Sequence, residues 1–162
     1  MKRRSERRAD PYRDLDVIDS RAPRFNQVVV GALALTAVVA GSWLLALLAI
    51  QLVVGLSLGR RYCLPCLAYF ELVQPVFGEG VLEDARPPRF ANMVGAAFLT
   101  ASFLSYVTGL ETLGAILGIL VAALALLAAA TGFCAGCEAY KLGYVLTGRR
   151  FVACPLPPRP PS

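Results

Sequence analysis

The sequence predicts an all-α membrane protein: four transmembrane helices, arranged as two parallel-topology helical-hairpin repeats that each end in a Cys-x-x-Cys and an interfacial helix. Three observations lead there. Hydrophobic residues make up 57% of the 162, with a mean hydropathy of +0.60, more apolar surface than a soluble domain of this length needs. Two long stretches are nearly free of charge: Phe25 to Gly59 holds no Asp, Glu, Lys or Arg, and Phe90 to Tyr140 holds only Glu111 and Glu138. One string of motifs occurs twice, once in each half of the chain.

Residues 1–24, MKRRSERRADPYRDLDVIDSRAPR, form a charged leader. It shows no short apolar core followed by a small-residue cleavage site, so it does not read as a secretory signal. Its composition predicts a disordered cytoplasmic segment whose early Lys and Arg fix topology. The 35 residues from Phe25 to Gly59 would extend about 52 Å as one helix at ~1.5 Å per residue, well past a ~30 Å hydrocarbon core. They are better read as two antiparallel helices joined at Ala40–Trp43 (AGSW), where Gly and Ser supply the turn and Trp43 sits at the interface. The second run splits into FANMVGAAFLTASFLSYVTG and LGAILGILVAALALLAAATG, with Glu111 between them. The expected spans are 25–41, 43–60, 90–108 and 112–131, within a membrane domain of 25–147 built of repeats at about 22–77 and 87–147. Residues 148–162 form a Pro-rich cytoplasmic tail carrying Cys154.

Orientation follows from the cations. Of 16 Lys and Arg, eight precede Phe25, four lie from Arg60 to Arg89, and four follow Glu138. With four spans all 16 fall on one side, and the two opposite turns hold none. The positive-inside rule then places both termini and the central loop in the cytoplasm. The lipid bilayer is the expected partner, and no nucleic-acid partner is expected.

The duplication is seen by setting APRFNQVV at Ala22 beside PPRFANMV at Pro87, and CLPCLAYFEL at Cys63 beside CAGCEAYKLG at Cys134. The shared pattern is Pro-Arg-Phe, two spans, then Cys-x-x-Cys-x-Ala-Tyr. Two spans per repeat is an even number, so both halves insert the same way up. In each entry Pro starts the helix, Arg24 or Arg89 stays with phosphate, and Phe25 or Phe90 enters the apolar layer. Gly55-x-x-x-Gly59 and Gly114-x-x-x-Gly118 offer close helix packing. SRAPRFNQ before the first span, a Cys-x-x-Cys after the second and TGFCAGCEAY after the fourth resemble a bacterial integral-membrane family known as domain of unknown function 4395. The resemblance covers roughly Asp19 to Thr147. It implies a four-helix inner-membrane protein and brings no activity with it.

Chemistry, if the chain performs any, belongs to Cys63, Cys66, Cys134 and Cys137. The chain has no histidine, which excludes His-based triads, His metal ligands and a His proton shuttle. No acid or base lies inside the expected spans, which disfavours a proton-coupled transporter. One reading is thiol–disulfide or sulfur-transfer chemistry, with each Cys-x-x-Cys opening a helix whose N-terminal amides stabilise a thiolate. Pro65 before Cys66 is locally like thioredoxin, although no βαβ pattern surrounds it. That reading calls for a quinone between the helices, or a cytoplasmic thioredoxin-like or sulfur-carrier protein. A second reading is a Cys₄ Zn or soft-metal site made by convergence of the two pairs across the 67 residues between Cys66 and Cys134. A third is that the thiols are buried small hydrophobes, against which the duplicated spacing counts. Cys154 is unpaired in this scheme and is expected to be dispensable. Tyr69 and Tyr140 either shield the thiols or sit at the interface. Glu71 and Glu138 occupy non-equivalent positions and are not paired acids. FGEGVLEDARPPR reads as a polar linker without a site.

Overall fold

A computed structural model describes residues 8–148 and 152 of the chain. In chain order its elements are β1 (Val17–Asp19), α1 (Arg21–Ala40), α2 (Trp43–Leu58), a 3₁₀ turn (Arg60–Tyr62), α3 (Leu64–Ala68), a π-helical turn (Tyr69–Val73), α4 (Gln74–Phe77), β2 (Leu82–Asp84), α5 (Arg86–Val107), α6 (Glu111–Thr131) and α7 (Ala135–Leu146). The first run therefore turns where expected, at Gly41 and Ser42. The helices α1 and α5 begin four residues earlier than the apolar runs do.

Three helices, α1, α5 and α6, are long and apolar enough to cross a membrane, whereas α2 is apolar but only 16 residues long. Glycines set that limit. Gly41 at φ +153° and Gly59 at φ +96° bracket α2 in conformations that end a helix and disfavour any side chain.

The bundle is held together between hairpins more than within them: α1 makes its broadest contact with α6, and α2 with α5. Small residues permit this. Ala34 and Ala37 of α1, Leu45 and Leu52 of α2, Leu99 of α5 and Ala122 of α6 share the buried core. A Cβ on Gly114 would stand 2.6 Å from the Tyr106 ring and 3.0 Å from Ser102 O, and one on Gly118 would stand 2.7 Å from Val38. These two glycines thus act as expected. The first pair does not: Gly55 faces Cys63 within its own half, and Gly59 ends α2 with open space around it. Thr36, Thr100, Ser105 and Thr131 each donate to the carbonyl four residues back, whereas the buried Ser102 hydroxyl of α5 donates across to Gly114 O of α6 at 2.6 Å.

Residues 8–20, read from composition as part of a disordered leader, fold onto the bundle. Three groups hold them. The Arg60 guanidinium donates to the carbonyls of Pro11, Asp14 and Leu15 at 2.8–3.2 Å. The Tyr12 hydroxyl donates to Glu71 at 2.8 Å, while its ring lies edge-on to Phe70 and under Arg61. The backbone N–H groups of Arg8 and Ala9 donate to the Glu79 carboxylate. The charges that hold this stretch, Arg60, Glu71 and Glu79, come from outside it and meet its backbone and Tyr12.

The segment read as a polar linker holds β2, which pairs antiparallel with β1 in the register Val17↔Asp84, Ile18↔Glu83, Asp19↔Leu82. Asp19 is 1% exposed. Its carboxylate accepts from the Tyr69 hydroxyl at 3.0 Å, the Gln74 amide at 3.2 Å, Gly80 N–H at 2.8 Å and Arg21 N–H at 3.0 Å. Asp84, its counterpart before α5, accepts from Arg86 N–H at 2.9 Å and from the Arg86 guanidinium through both oxygens. Each carboxylate thus occupies the N-terminus of a long helix, where negative charge is favoured.

The entry arginines also differ from the expected phosphate anchors. The Arg89 guanidinium reaches Leu56 O, in the last turn of α2, at 3.4 Å. The Arg24 guanidinium lies over Gly132 at the end of α6, where a Cβ would meet Nη2 at 2.6 Å. A cation at a helix C-terminus satisfies orphan carbonyls and the dipole together. Each half therefore closes the second helix of the other.

Candidate functional site

Each Cys-x-x-Cys begins a helix, as the thiol reading requires. Cys134 is the N-cap of α7, in extended backbone at φ −98°, ψ 105°, and its Sγ accepts from Cys137 N–H at 3.3 Å. Cys63 is the N-cap of α3 at φ −85°, ψ 104°, with Pro65 in the first turn, where a missing N–H costs nothing. All four thiols are free, Cys63 buried and the other three half-buried.

Within each pair the two thiols are made unequal. The Cys134 thiol is pulled down to about 6. The S–H of Cys137 donates to it, and the amides of Cys137 and Gly136 add to the effect against the opposing cost of burial. Cys137 is pushed up for the converse reason, its proton being held by Cys134, with burial adding to that. Cys63 is lowered in the same way by the Cys66 thiol, against desolvation, and Cys66 is raised. The first thiol of each pair is thus the more acidic, and the second holds the shared proton.

This has a measurable pH signature. With Cys134 held near 6, alkylation by iodoacetamide should rise about tenfold per pH unit below that value and be nearly flat from about pH 7 to 8.5. Peptide mass spectrometry of the Cys134 adduct reads the rate. A rate still climbing tenfold between pH 7 and 8 would mean an ordinary thiol.

Packing seats both motifs. A Cβ on Gly55 would stand 2.9 Å from that of Cys63, and a Cβ on Gly136 would stand 2.7 Å from Ala91 Cβ and 2.8 Å from Ala91 Cα. Gly136→Ala should therefore lift the start of α7 off α5, at a cost of about 1–3 kcal/mol of overpacking. The expected readout is a lower melting temperature and slower, more alkaline alkylation of Cys134. An unchanged alkylation profile would show that α5 does not position the thiol.

The structure brings the thiols together two by two. Among the described residues no group of three or more Cys, Asp or Glu stands within reach of one ion. Each motif is seated on its own half: Cys66 packs on the cluster of Tyr69, Phe70 and Ala22, while α7 packs along α5. Tyr69 is buried at 2% exposure, with its ring 5.9 Å from Phe25 and its hydroxyl on Asp19. It is neither an interfacial residue nor a free acid, since burial and the Asp19 carboxylate push its pKa up. Tyr140 stacks 5.5 Å from Phe90, the matching partner in the second half, and its hydroxyl meets that of Tyr144. Glu138 pairs with Lys141. Cys154 lies outside the described residues.

Three polar residues to which sequence reasoning gave no role stand beside the thiols. Asn26 donates to Asn92 Oδ1 at 3.2 Å where the halves meet, and Gln51 donates to Tyr62 O at 2.9 Å just before Cys63. Asn26, Asn92, Arg60 and Arg89 line a small cavity of about 80 Å³ that reaches Cys63 and Cys66. The signal for Asn26 and Asn92 was their place one and two residues after the repeated Pro-Arg-Phe.

One family model matches, over residues 18–144, under the description Domain of unknown function (DUF4395). No curated protein and no solved structure matches the chain.

Proposed function

Because the chain belongs to the DUF4395 family, whose description assigns no activity, we propose its function from the site: a membrane-embedded thiol–disulfide oxidoreductase with two Cys-x-x-Cys centres. One observation carries the reading. In both pairs the first cysteine caps a helix N-terminus and is lowered in pKa, while the second, one turn on, is raised. A thiolate placed so attacks a disulfide or accepts a sulfane sulfur from a carrier; the second thiol then attacks the adduct as its proton passes to the departing sulfur, closing the Cys-x-x-Cys disulfide. The substrate is a cytoplasmic thiol protein, thioredoxin-like or sulfur-carrying.

The proposal includes the setting. Four helices span a bacterial plasma membrane, with α2 short and the bilayer thinned beside it. All Lys and Arg, and so both Cys-x-x-Cys pairs, face the cytoplasm. The halves are parallel repeats about an axis along the membrane normal, a reading supported by the matched pairs Phe25–Tyr69 and Phe90–Tyr140 and by the reciprocal arginine caps.

Equilibration of the purified protein in glutathione redox buffers, followed by alkylation and peptide mass spectrometry, tests the chemistry. Two reversible disulfides, Cys63–Cys66 and Cys134–Cys137, are expected. Four thiols still reduced in oxidised glutathione would end the redox reading. A gain of one sulfur atom on Cys63 or Cys134 from a persulfide donor would select sulfur transfer instead. Impermeant maleimide on intact cells should leave all four unlabelled.

A further inference from the structure

Two apolar grooves flank the bundle, each holding about 290 Å³. Phe25, Val29, Leu33 and Leu48 wall the first, which ends on Cys63. Phe90, Val94, Phe98 and Val121 wall the second, which ends on Cys134. The walls match position for position along the repeat, from Phe25 and Phe90 through to the first thiol of each pair. The side chains at their mouths, Leu33 and Phe98 among them, are exposed on faces of α1 and α5, both helices of membrane-spanning length.

Asn26 lines both grooves and is 3% exposed. Its Oδ1 is one of two buried side-chain polar atoms without a hydrogen-bond partner among the described residues, the other being Gln74 Oε1. A buried carbonyl left bare is costly and calls for a donor. The occupant is therefore apolar over most of its surface and enters from lipid, and an O–H or N–H that it carries in one of its states would satisfy Asn26 Oδ1. At this volume, near the lower end of small-molecule sites, it is a single ring with the start of a tail rather than a peptide.

We propose that each groove binds a lipid-soluble quinone, which takes up the electrons released when the adjoining Cys-x-x-Cys closes to a disulfide. Two S–H bonds are lost and one S–S bond forms. The two electrons and two protons pass to the quinone's carbonyl oxygens, giving the hydroquinone, whose O–H can donate to Asn26 Oδ1. A cytoplasmic dithiol then re-reduces the pair by exchange, so electrons flow from protein thiols into the membrane. An acyl chain would fill the same walls without a donor for Asn26 and without accepting electrons. The proposal rests on the thiol–disulfide reading and names its electron acceptor.

The test uses the full chain, reduced and in detergent, with decylubiquinone, whose fully substituted ring cannot add a thiolate. Quinone loss by absorbance and disulfide gain by mass spectrometry should match one for one, with both pairs oxidised. Val29→Trp should slow oxidation of Cys63–Cys66 by about tenfold or more, as a bulky side chain filling a site of this size would, and spare Cys134–Cys137. Val94→Trp should do the reverse. Diamide, a water-soluble oxidant, should close both pairs in every variant. If diamide closes the pairs and the quinone does not, the proposal falls and the redox reading stands. If neither does, both fall. Equal quinone rates in the two tryptophan variants would overturn the grooves as the site. Should either variant misfold, competition in the unaltered chain decides: added decylubiquinol, which keeps the O–H donors and takes up no electrons, must slow both pairs, and failure to compete overturns the proposal.

Discussion

Cys134→Ser should abolish thiol exchange at the second pair and Cys63→Ser at the first, each to the background of a cysteine-free chain, with both variants still inserting and purifying as folded protein. The expectation follows from the inequality within each pair. In each pair the N-cap thiol is the more acidic of the two, and the second thiol keeps its proton while it serves the first as donor. Cys66→Ser and Cys137→Ser should behave differently. With the attacking thiol present and the resolving one gone, mixed disulfides with the partner should accumulate and be visible on non-reducing gels. If the four serine variants prove equivalent, the assignment of attacker and resolver is wrong. Because the pairs are seated on separate halves, loss of one should leave the other titrating normally.

Asp19→Ala should be the most destabilising single change outside the cysteines. It strips the acceptor from the Tyr69 hydroxyl, the Gln74 amide and the N–H groups of Gly80 and Arg21 at once. A buried donor left unsatisfied costs roughly 1–3 kcal/mol, so four together should cost at least about 3 kcal/mol, a large share of the ~5–15 kcal/mol that holds a typical domain. Asp19→Asn keeps one acceptor oxygen and should cost clearly less. Asp84→Ala should cost less as well, because the guanidinium it pairs with is 36% exposed and rehydrates. Thermal unfolding in detergent gives the ranking. A melting temperature within a degree or so of the unaltered chain for Asp19→Ala would mean that water already reaches the site.

The long-range layout was legible because it is written in strong signals. Charge-free runs longer than one span, a Gly-Ser turn between them and a repeated Cys-x-x-Cys each have one dominant physical reading. The parts that escaped are those in which charge is buried by partners far away in the chain. Asp19, Glu71 and Glu79 look like solvated residues in any local window. They become structural only when Tyr69, Tyr12 and the amides of Arg8 and Ala9 arrive from 50 or more residues away. Strands of three residues carry no readable alternation, so β1 and β2 gave no pattern of their own. A signal did exist. The repeat extends upstream as Asp19-Ser-Arg21 and Asp84-Ala-Arg86, and an acid kept in register before both helices marks a matched N-terminal contact.

The β-ladder couples two helix starts that lie far apart in the chain. In the register Val17↔Asp84, Ile18↔Glu83, Asp19↔Leu82, the two acids stand at opposite ends of one ladder, Asp19 just before α1 and Asp84 just before α5. A change that parts the strands therefore loosens both helix entrances at once. The thiol motifs that follow the two hairpins are not alike: Cys-Leu-Pro-Cys has its first thiol buried, whereas Cys-Ala-Gly-Cys has both thiols half-buried.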